Sequence, residues 1–183
     1  MTHVRQAAPR IHFTRLNLAG CHASPMRARQ LAPILQRPWG PGLIELDVGD
    51  SPLGDAGIAT LAKVLPSTLQ ELRFSSTGCA DEGYVAMAAA FRALTSLKIL
   101  QCSWNGAGPG GWTALAAALP PSLTELLAYG SGSMGLEGAK SLAAAVPRLL
   151  LLEDLLVGVA SEEAKAVLQA VERPGLSFEV EID

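Results

Sequence analysis

The sequence has few of the residues that form disulfide frameworks, metal sites and catalytic centres. Cysteine occurs only three times in 183 residues, and an odd number of cysteines does not fit a disulfide-bonded secreted domain. We therefore expect Cys21, Cys79 and Cys102 to be reduced structural thiols in a cytoplasmic protein. The three histidines fall within the first 22 residues without metal-ligand spacing, and no Ser/His/Asp or Cys/His arrangement stands out. We predict no catalytic residue, no metal site and no cofactor.

Long hydrophobic runs are also missing, although hydrophobic residues make up 49% of the chain. The longest apolar stretch, near 149–160, is interrupted by Glu153 and Asp154, and a membrane helix needs about 20 apolar residues. The N-terminus has no apolar segment typical of a secretory signal. We therefore expect neither membrane insertion nor secretion.

Acidic residues are absent from the first 42 positions, which contain six arginines, whereas the remaining 141 positions carry 8 basic and 17 acidic residues. An Arg-rich, acid-free N-terminus can be an organelle transit peptide. However, Phe13, Leu16, Leu18 and Leu31 follow the repeat pattern described next. We therefore favour a solvated cap or a basic partner-binding end, and only residues 1–10 are predicted to be a flexible tail.

A repeat runs through most of the chain. Segments close to L-x-x-L-x-L-x-x-(polar) lead through a glycine into Ala/Leu-rich runs, with frames 26–30 residues apart that begin at Phe13, Leu43, Leu69, Leu97, Leu123 and Leu152. In the second frame, Leu43, Leu46 and Val48 alternate as in a strand with one buried face. Eighteen residues after the frame start, Leu61 marks the buried face of a helix. A strand followed by a helix at this period is the signature of leucine-rich repeats.

The pattern resembles the ribonuclease-inhibitor class of leucine-rich repeats, which also occurs in NOD-like receptors, tropomodulins and the Ran GTPase-activating protein. The resemblance covers about 11–171 and implies an α/β solenoid shaped like a horseshoe. The parallel sheet would form its concave face and the helices its convex face. We predict a single domain of about six repeats over 11–183, closed by a C-terminal strand from Leu176 onwards. No residue here matches a catalytic residue of the GTPase-activating relatives, so that activity is not transferred.

Two local features qualify the helix predictions. Asp55, Asp81 and Ser161 stand where N-cap or first-turn residues are expected. Pro33 falls inside the first helical run, where proline disfavours a helix by about 3 kcal/mol. We therefore expect the first helix to be broken, kinked or short.

The glycines from Gly106 to Gly111 satisfy the G-x-G-x-x-G pattern of dinucleotide-binding loops, with Glu125 nineteen residues after the first. However, Gly111 aligns with Gly57 and Gly83, so the last glycine belongs to the repeat. A horseshoe sheet also lacks the topological switch point at which dinucleotides bind. We interpret the loop as structural, with a nucleotide-binding enzyme as the minor alternative.

Positions between the buried leucines would form the concave face. Adjacent parallel strands lie about 4.8 Å apart, so the third, fifth and seventh positions of successive frames form contiguous columns. The predicted partner-binding residues are Glu45, Asp47, Glu71, Arg73, Ile99, Gln101, Trp104, Glu125, Leu127, Tyr129, Asp154 and Leu156.

The C-terminal half of this face is unusually apolar, because Ile99, Trp104, Leu127, Tyr129 and Leu156 are neighbours there. Contiguous apolar patches usually mark interaction sites. We predict a non-catalytic module that binds another protein, basic and with an apolar anchor site, on the concave face. The alternative is a regulator of an enzyme, acting as an inhibitor or a GTPase-activating partner. Binding to nucleic acid or membranes is not expected, and homo-oligomerisation stays open.

Overall fold

Strands and helices alternate along the whole described chain. The computed structural model describes residues 14–21, 25–35, 42–130, 132–171 and 173–182. The strands are β1 (Arg15–Asn17), β2 (Glu45–Asp47), β3 (Glu71–Arg73), β4 (Ile99–Gln101), β5 (Glu125–Ala128), β6 (Asp154–Val159) and β7 (Ser177–Ile182). The helices are α1 (Pro25–Leu35), α2 (Gly54–Ala62), α3 (Asp81–Phe91), α4 (Pro109–Ala118), α5 (Gly135–Ala145) and α6 (Glu162–Gln169). The predicted tail over 1–10 lies outside the described residues.

The strands form one parallel sheet in the order β1 to β7, so each strand pairs with the next along the chain. The register places the same frame position of successive repeats side by side, as in the pairing of Leu46 with Leu72 and of Leu72 with Leu100. Consecutive helices pack against one another on the other side. The predicted leucine-rich-repeat solenoid, with its sheet on the concave face and its helices on the convex face, is confirmed.

One continuous core fills the space between sheet and helices. The central strand leucines are at most 1% exposed, namely Leu46, Leu72, Leu100, Leu126 and Leu155. Three fully buried aromatic rings meet edge to face. The ring centroids of Phe74 and Tyr84, in one repeat, are 5.7 Å apart, and those of Tyr84 and Trp112, in neighbouring repeats, are 5.4 Å apart. Since one repeat alone cannot bury its apolar face, the stacked neighbours stabilise each other.

Aspartates link the helices of successive repeats. The Oδ1 atom of Asp55, in the first turn of α2, accepts hydrogen bonds from the backbone N–H groups of Ala80 at 2.7 Å and Gly83 at 2.8 Å. One repeat later, Oδ1 of Asp81 accepts from the N–H of Gly108 at 2.6 Å. Both aspartates lie in a first helical turn as predicted, but each satisfies the N-terminal donors of the following helix.

The prediction of a broken or short first helix is wrong, because α1 runs through Pro33 for 11 residues and is as long as α3 and α5. Pro33 lies two residues before the end of α1 and is exposed. The carbonyl that loses its helical partner belongs to Arg29, which is also exposed. Water can therefore satisfy this carbonyl, which lowers the penalty.

Candidate interaction surface

The concave face is built from alternate residues of the short strands. In β2, β3 and β4 the middle residue is buried and its two neighbours are half-buried. The third-position column contains Arg15, Glu45, Glu71, Ile99, Glu125, Asp154 and Ser177, and the fifth-position column contains Asn17, Asp47, Arg73, Gln101, Leu127, Leu156 and Glu179. The predicted residues in the strands therefore lie side by side on one surface.

Charges at the N-terminal end of this face are engaged with one another. Arg15 Nε lies 2.9 Å from Glu45 Oε1. Asn17 Nδ2 donates to Asp47 Oδ2 at 3.3 Å, and Asp47 Oδ1 accepts from the N–H of Gly49 at 3.0 Å. A ligand that approaches Glu45 or Asp47 must therefore compete with these existing contacts.

Arg73 organises the middle of the face. Its guanidinium pairs with Glu71 on the same strand, and its Nε donates to Gln101 Oε1 on β4 at 3.1 Å. The backbone register places Glu71 opposite Glu45 and Arg73 opposite Asp47. The ion pairs of Glu71 with Arg73 and of Glu45 with Arg15 reduce the repulsion between the two glutamates. The N-terminal half of the face is thus largely neutralised by its own ion pairs.

The C-terminal half contains the apolar patch, which is less exposed than the sequence suggested. Ile99, Leu127, Tyr129 and Leu156 are half-buried, and only Trp104 is largely exposed, at 66%. Leu127 pairs in register with Leu156, and side chains on adjacent strands shield one another at this spacing. The patch therefore consists of half-buried apolar side chains on the strands, next to one exposed indole ring.

Strand β7 adds two carboxylates that the predicted site did not include. Glu179 lies opposite Leu156, and Glu181 lies opposite Gly158. Partial burial raises the pKa of Tyr129 above its ordinary value, and the charges of Glu179 and Glu181 raise it further. The alternation over 176–182 was visible in the sequence. The fifth- and seventh-position columns extend into this strand, where they reach Glu179 and Glu181.

The charged residues on the concave surface of β4–β7 are all acidic. Its third, fifth and seventh positions carry Glu125, Asp154, Glu179 and Glu181 but no lysine or arginine. Within the described part of the chain, neither Glu125 nor Asp154 forms an ion pair. We refer to these four carboxylates, together with Ile99, Leu127, Tyr129 and Leu156, as the acidic–apolar patch.

The glycine loop before α4 is filled by the protein itself. The N–H of Gly108 donates to Asp81, and a Cβ atom at Gly111 would lie 2.7 Å from Asp81 Oδ1 and 3.0 Å from its Cα. Gly111 is therefore needed for the close approach of two repeats. A Cβ at Gly110 would also lie only 3.0 Å from Asp81 Oδ2, so this glycine is more constrained than the sequence suggested. A phosphate at this helix N-terminus would have to displace the Asp81 carboxylate.

Two further properties concern the described residues as a whole. They contain no group of three or more Asp, Glu, His or Cys side chains placed to hold a metal ion. None of the helices formed by these residues has the length and apolarity needed to cross a membrane.

Comparison with known proteins gives matches only at the level of structure. No model of a protein family and no curated protein matches the sequence. The tropomodulin C-terminal domain of Caenorhabditis elegans is 15% identical over 79% of this chain and 90% of that one, with a TM-score of 0.65. The structure of leiomodin-1 actin-binding site 2 is 16% identical over 79% of this chain and 84% of that one, with a TM-score of 0.62. The fold is a leucine-rich repeat. At these identities the likeness shows the fold alone.

Proposed function

We propose that this protein is a non-catalytic interaction module that binds another protein on the concave face of β4–β7. The observation that carries the proposal is the acidic–apolar patch. In-register leucines and a tyrosine form its floor, and the carboxylates around it form no ion pair with any lysine or arginine that the structure describes. Exposed apolar area framed by polar groups is typical of protein-binding surfaces.

The apolar floor would supply affinity. Fully burying an exposed Leu-sized side chain is worth about 1.5–3 kcal/mol. Leu127, Tyr129 and Leu156 are already half-buried, so each has less than this to gain. Several such contacts are therefore needed together, which favours a partner that covers the floor as a whole.

The carboxylates would select the partner. Unpaired acidic groups steer basic partners during encounter and mainly affect the association rate. A basic protein surface with an apolar anchor fits the patch best. The matching leiomodin-1 segment is an actin-binding site by its name, which supports a protein-binding role for this architecture and leaves the partner here to be identified.

The cysteines support a reducing compartment. Cys21, Cys79 and Cys102 are all free thiols, whereas secreted domains generally oxidise theirs. We therefore place the protein in the cytoplasm.

The test is affinity capture with purified wild-type protein and mass spectrometry, compared with a Leu127→Gln/Leu156→Gln variant, which removes the apolar side chains without adding charge. The matched control is Val85→Ser, which alters a half-exposed side chain on the convex helix α3. We expect the same protein to be recovered by the wild type and the control but not by the double variant. Equal recovery by a correctly folded double variant would place the binding site elsewhere.

A further inference from the structure

The eighth position of the first five frames has a left-handed backbone, whereas in the sixth frame it is Val159, the last residue of β6. The φ angles are +67° for Gly20, +50° for Asp50, +53° for Ser76, +56° for Trp104 and +59° for Gly130. The N–H of this residue donates to the seventh-position carbonyl of the next repeat, so the same contact between repeats accompanies the conformation. In Asp50, Ser76 and Trp104 this bond measures 3.0, 2.9 and 2.7 Å. The conformation therefore recurs in five successive repeats that carry different side chains at this position.

Tryptophan is poorly suited to this position. Glycine adopts a left-handed backbone freely and aspartate tolerates it, but for a bulky side chain a positive φ is an outlier. Burial does not offset the strain, because Trp104 remains 66% exposed. Local conformation and solvent exposure thus both disfavour tryptophan here. Strained residues of this kind tend to occur at functional sites.

The ring of Trp104 is held in place. A Cβ atom on Gly130 would overlap the ring at Cε3 and Cδ2, so the indole lies directly against the Gly130 backbone. Gly130 itself adopts a left-handed conformation, and it leaves the space that the ring occupies. An aromatic side chain that is fixed before binding loses little conformational entropy when a partner covers it.

The ring also stands beside the acidic–apolar patch. The N–H of Trp104 donates to the carbonyl of Tyr129. Glu179 and Glu181 lie close enough to Tyr129 for their charges to raise its pKa. The face of an indole ring attracts cations, most often the guanidinium of arginine. The surrounding carboxylates favour the same sign of charge.

We propose that Trp104 anchors an arginine or lysine side chain of a basic partner segment. This segment would cross from the sheet face of β4–β7 onto the loops that follow the strands. The inference rests on the proposed function and extends it in two ways. It assigns a chemical group to the partner, and it extends the binding site from the strands to the loop that contains Trp104.

The experiment uses a defined peptide of alternating arginine and glycine with a central leucine, together with its citrulline analogue, which keeps the shape but removes the charge. Binding to the full chain is measured by calorimetry at low salt. We expect Trp104→Asn to lower the affinity for the arginine peptide by about 2- to 5-fold, the range typical of an exposed cation–π contact. The citrulline peptide should bind the wild type more weakly by at least the same factor, and Val85→Ser should leave the affinity unchanged.

A thermal melt separates this role from a structural one. Asparagine tolerates a left-handed backbone, so Trp104→Asn should melt at the same temperature as the wild type or a higher one. A melting temperature lowered by several degrees would show that Trp104 serves the fold, and would overturn the proposal. Equal binding of the arginine and citrulline peptides would also overturn it.

The two proposals can fail separately. If Trp104→Asn binds the arginine peptide like the wild type while Leu127→Gln/Leu156→Gln loses it, the concave site is supported and the Trp104 anchor is wrong. If neither variant changes the affinity, both are wrong.

Discussion

The bond from Asp55 to the next helix allows a sharp prediction about how the repeats hold together. Asp55→Ala leaves the N–H groups of Ala80 and Gly83 without their acceptor. A hydrogen bond to a charged group contributes about 1.5–3 kcal/mol, whereas loss of an N-cap typically costs about 0.5–2 kcal/mol because water replaces part of it. Since two hydrogen bonds are lost at a half-buried site, we expect the free energy of unfolding to fall by about 2–3 kcal/mol. This corresponds to a melting temperature lower by about 4–12 °C for a domain of this size.

The assay is urea unfolding followed by circular dichroism, with amide exchange of Ala80 and Gly83 measured by NMR. Asp55→Asn keeps an oxygen acceptor, and its free energy of unfolding should fall by less than about 1 kcal/mol, since asparagine caps helices as well as aspartate does. Glu82→Ala removes an exposed carboxylate from the first turn of the same helix, α3, and should also lose less than about 1 kcal/mol. If Asp55→Ala is no worse than Glu82→Ala, the bond between repeats does not stabilise the fold as argued.

Four other outcomes follow from the buried residues. Burial raises the pKa of Cys79 to about 11 and that of Cys102 to about 12, from 9.0 in each case, so at pH 8 a thiol reagent should modify only the exposed Cys21. Because the unfolded thiols ionise first, the free energy of unfolding should fall as the pH rises above 9. Gly111→Ala should destabilise the protein by about 1–3 kcal/mol in urea titrations, because its Cβ meets Asp81. Leu100→Ala should lose about 2–5 kcal/mol in the same assay.

The architecture was predictable because it depends on a period. Leucines that recur at fixed positions specify both the strand register and the buried faces of the helices, and Leu46, Leu72 and Leu100 lie where this pattern places them. The error at Pro33 has a local cause. A penalty for proline inside a helix does not apply in full near an exposed helix end.

The candidate site was less predictable because it depends on contacts between repeats. The column pattern placed Leu127 beside Leu156, but it could not show how far neighbouring strands cover them. The left-handed backbone of Trp104 and its hydrogen bond to the next repeat are features of the folded chain, and a sequence pattern does not reveal them. The place of Glu179 and Glu181 near Tyr129 follows from the pairing of β6 with β7, which the sequence pattern does not specify.

Site-specific photo-cross-linking tests the central claim most directly. A benzophenone amino acid would replace Glu179, which is exposed on β7, or Val85, which is exposed on α3. The purified partner would then be irradiated with each variant. The account predicts a covalent adduct from position 179 and none from position 85. An adduct from position 85 alone would place the partner on the convex helices and contradict a concave binding face.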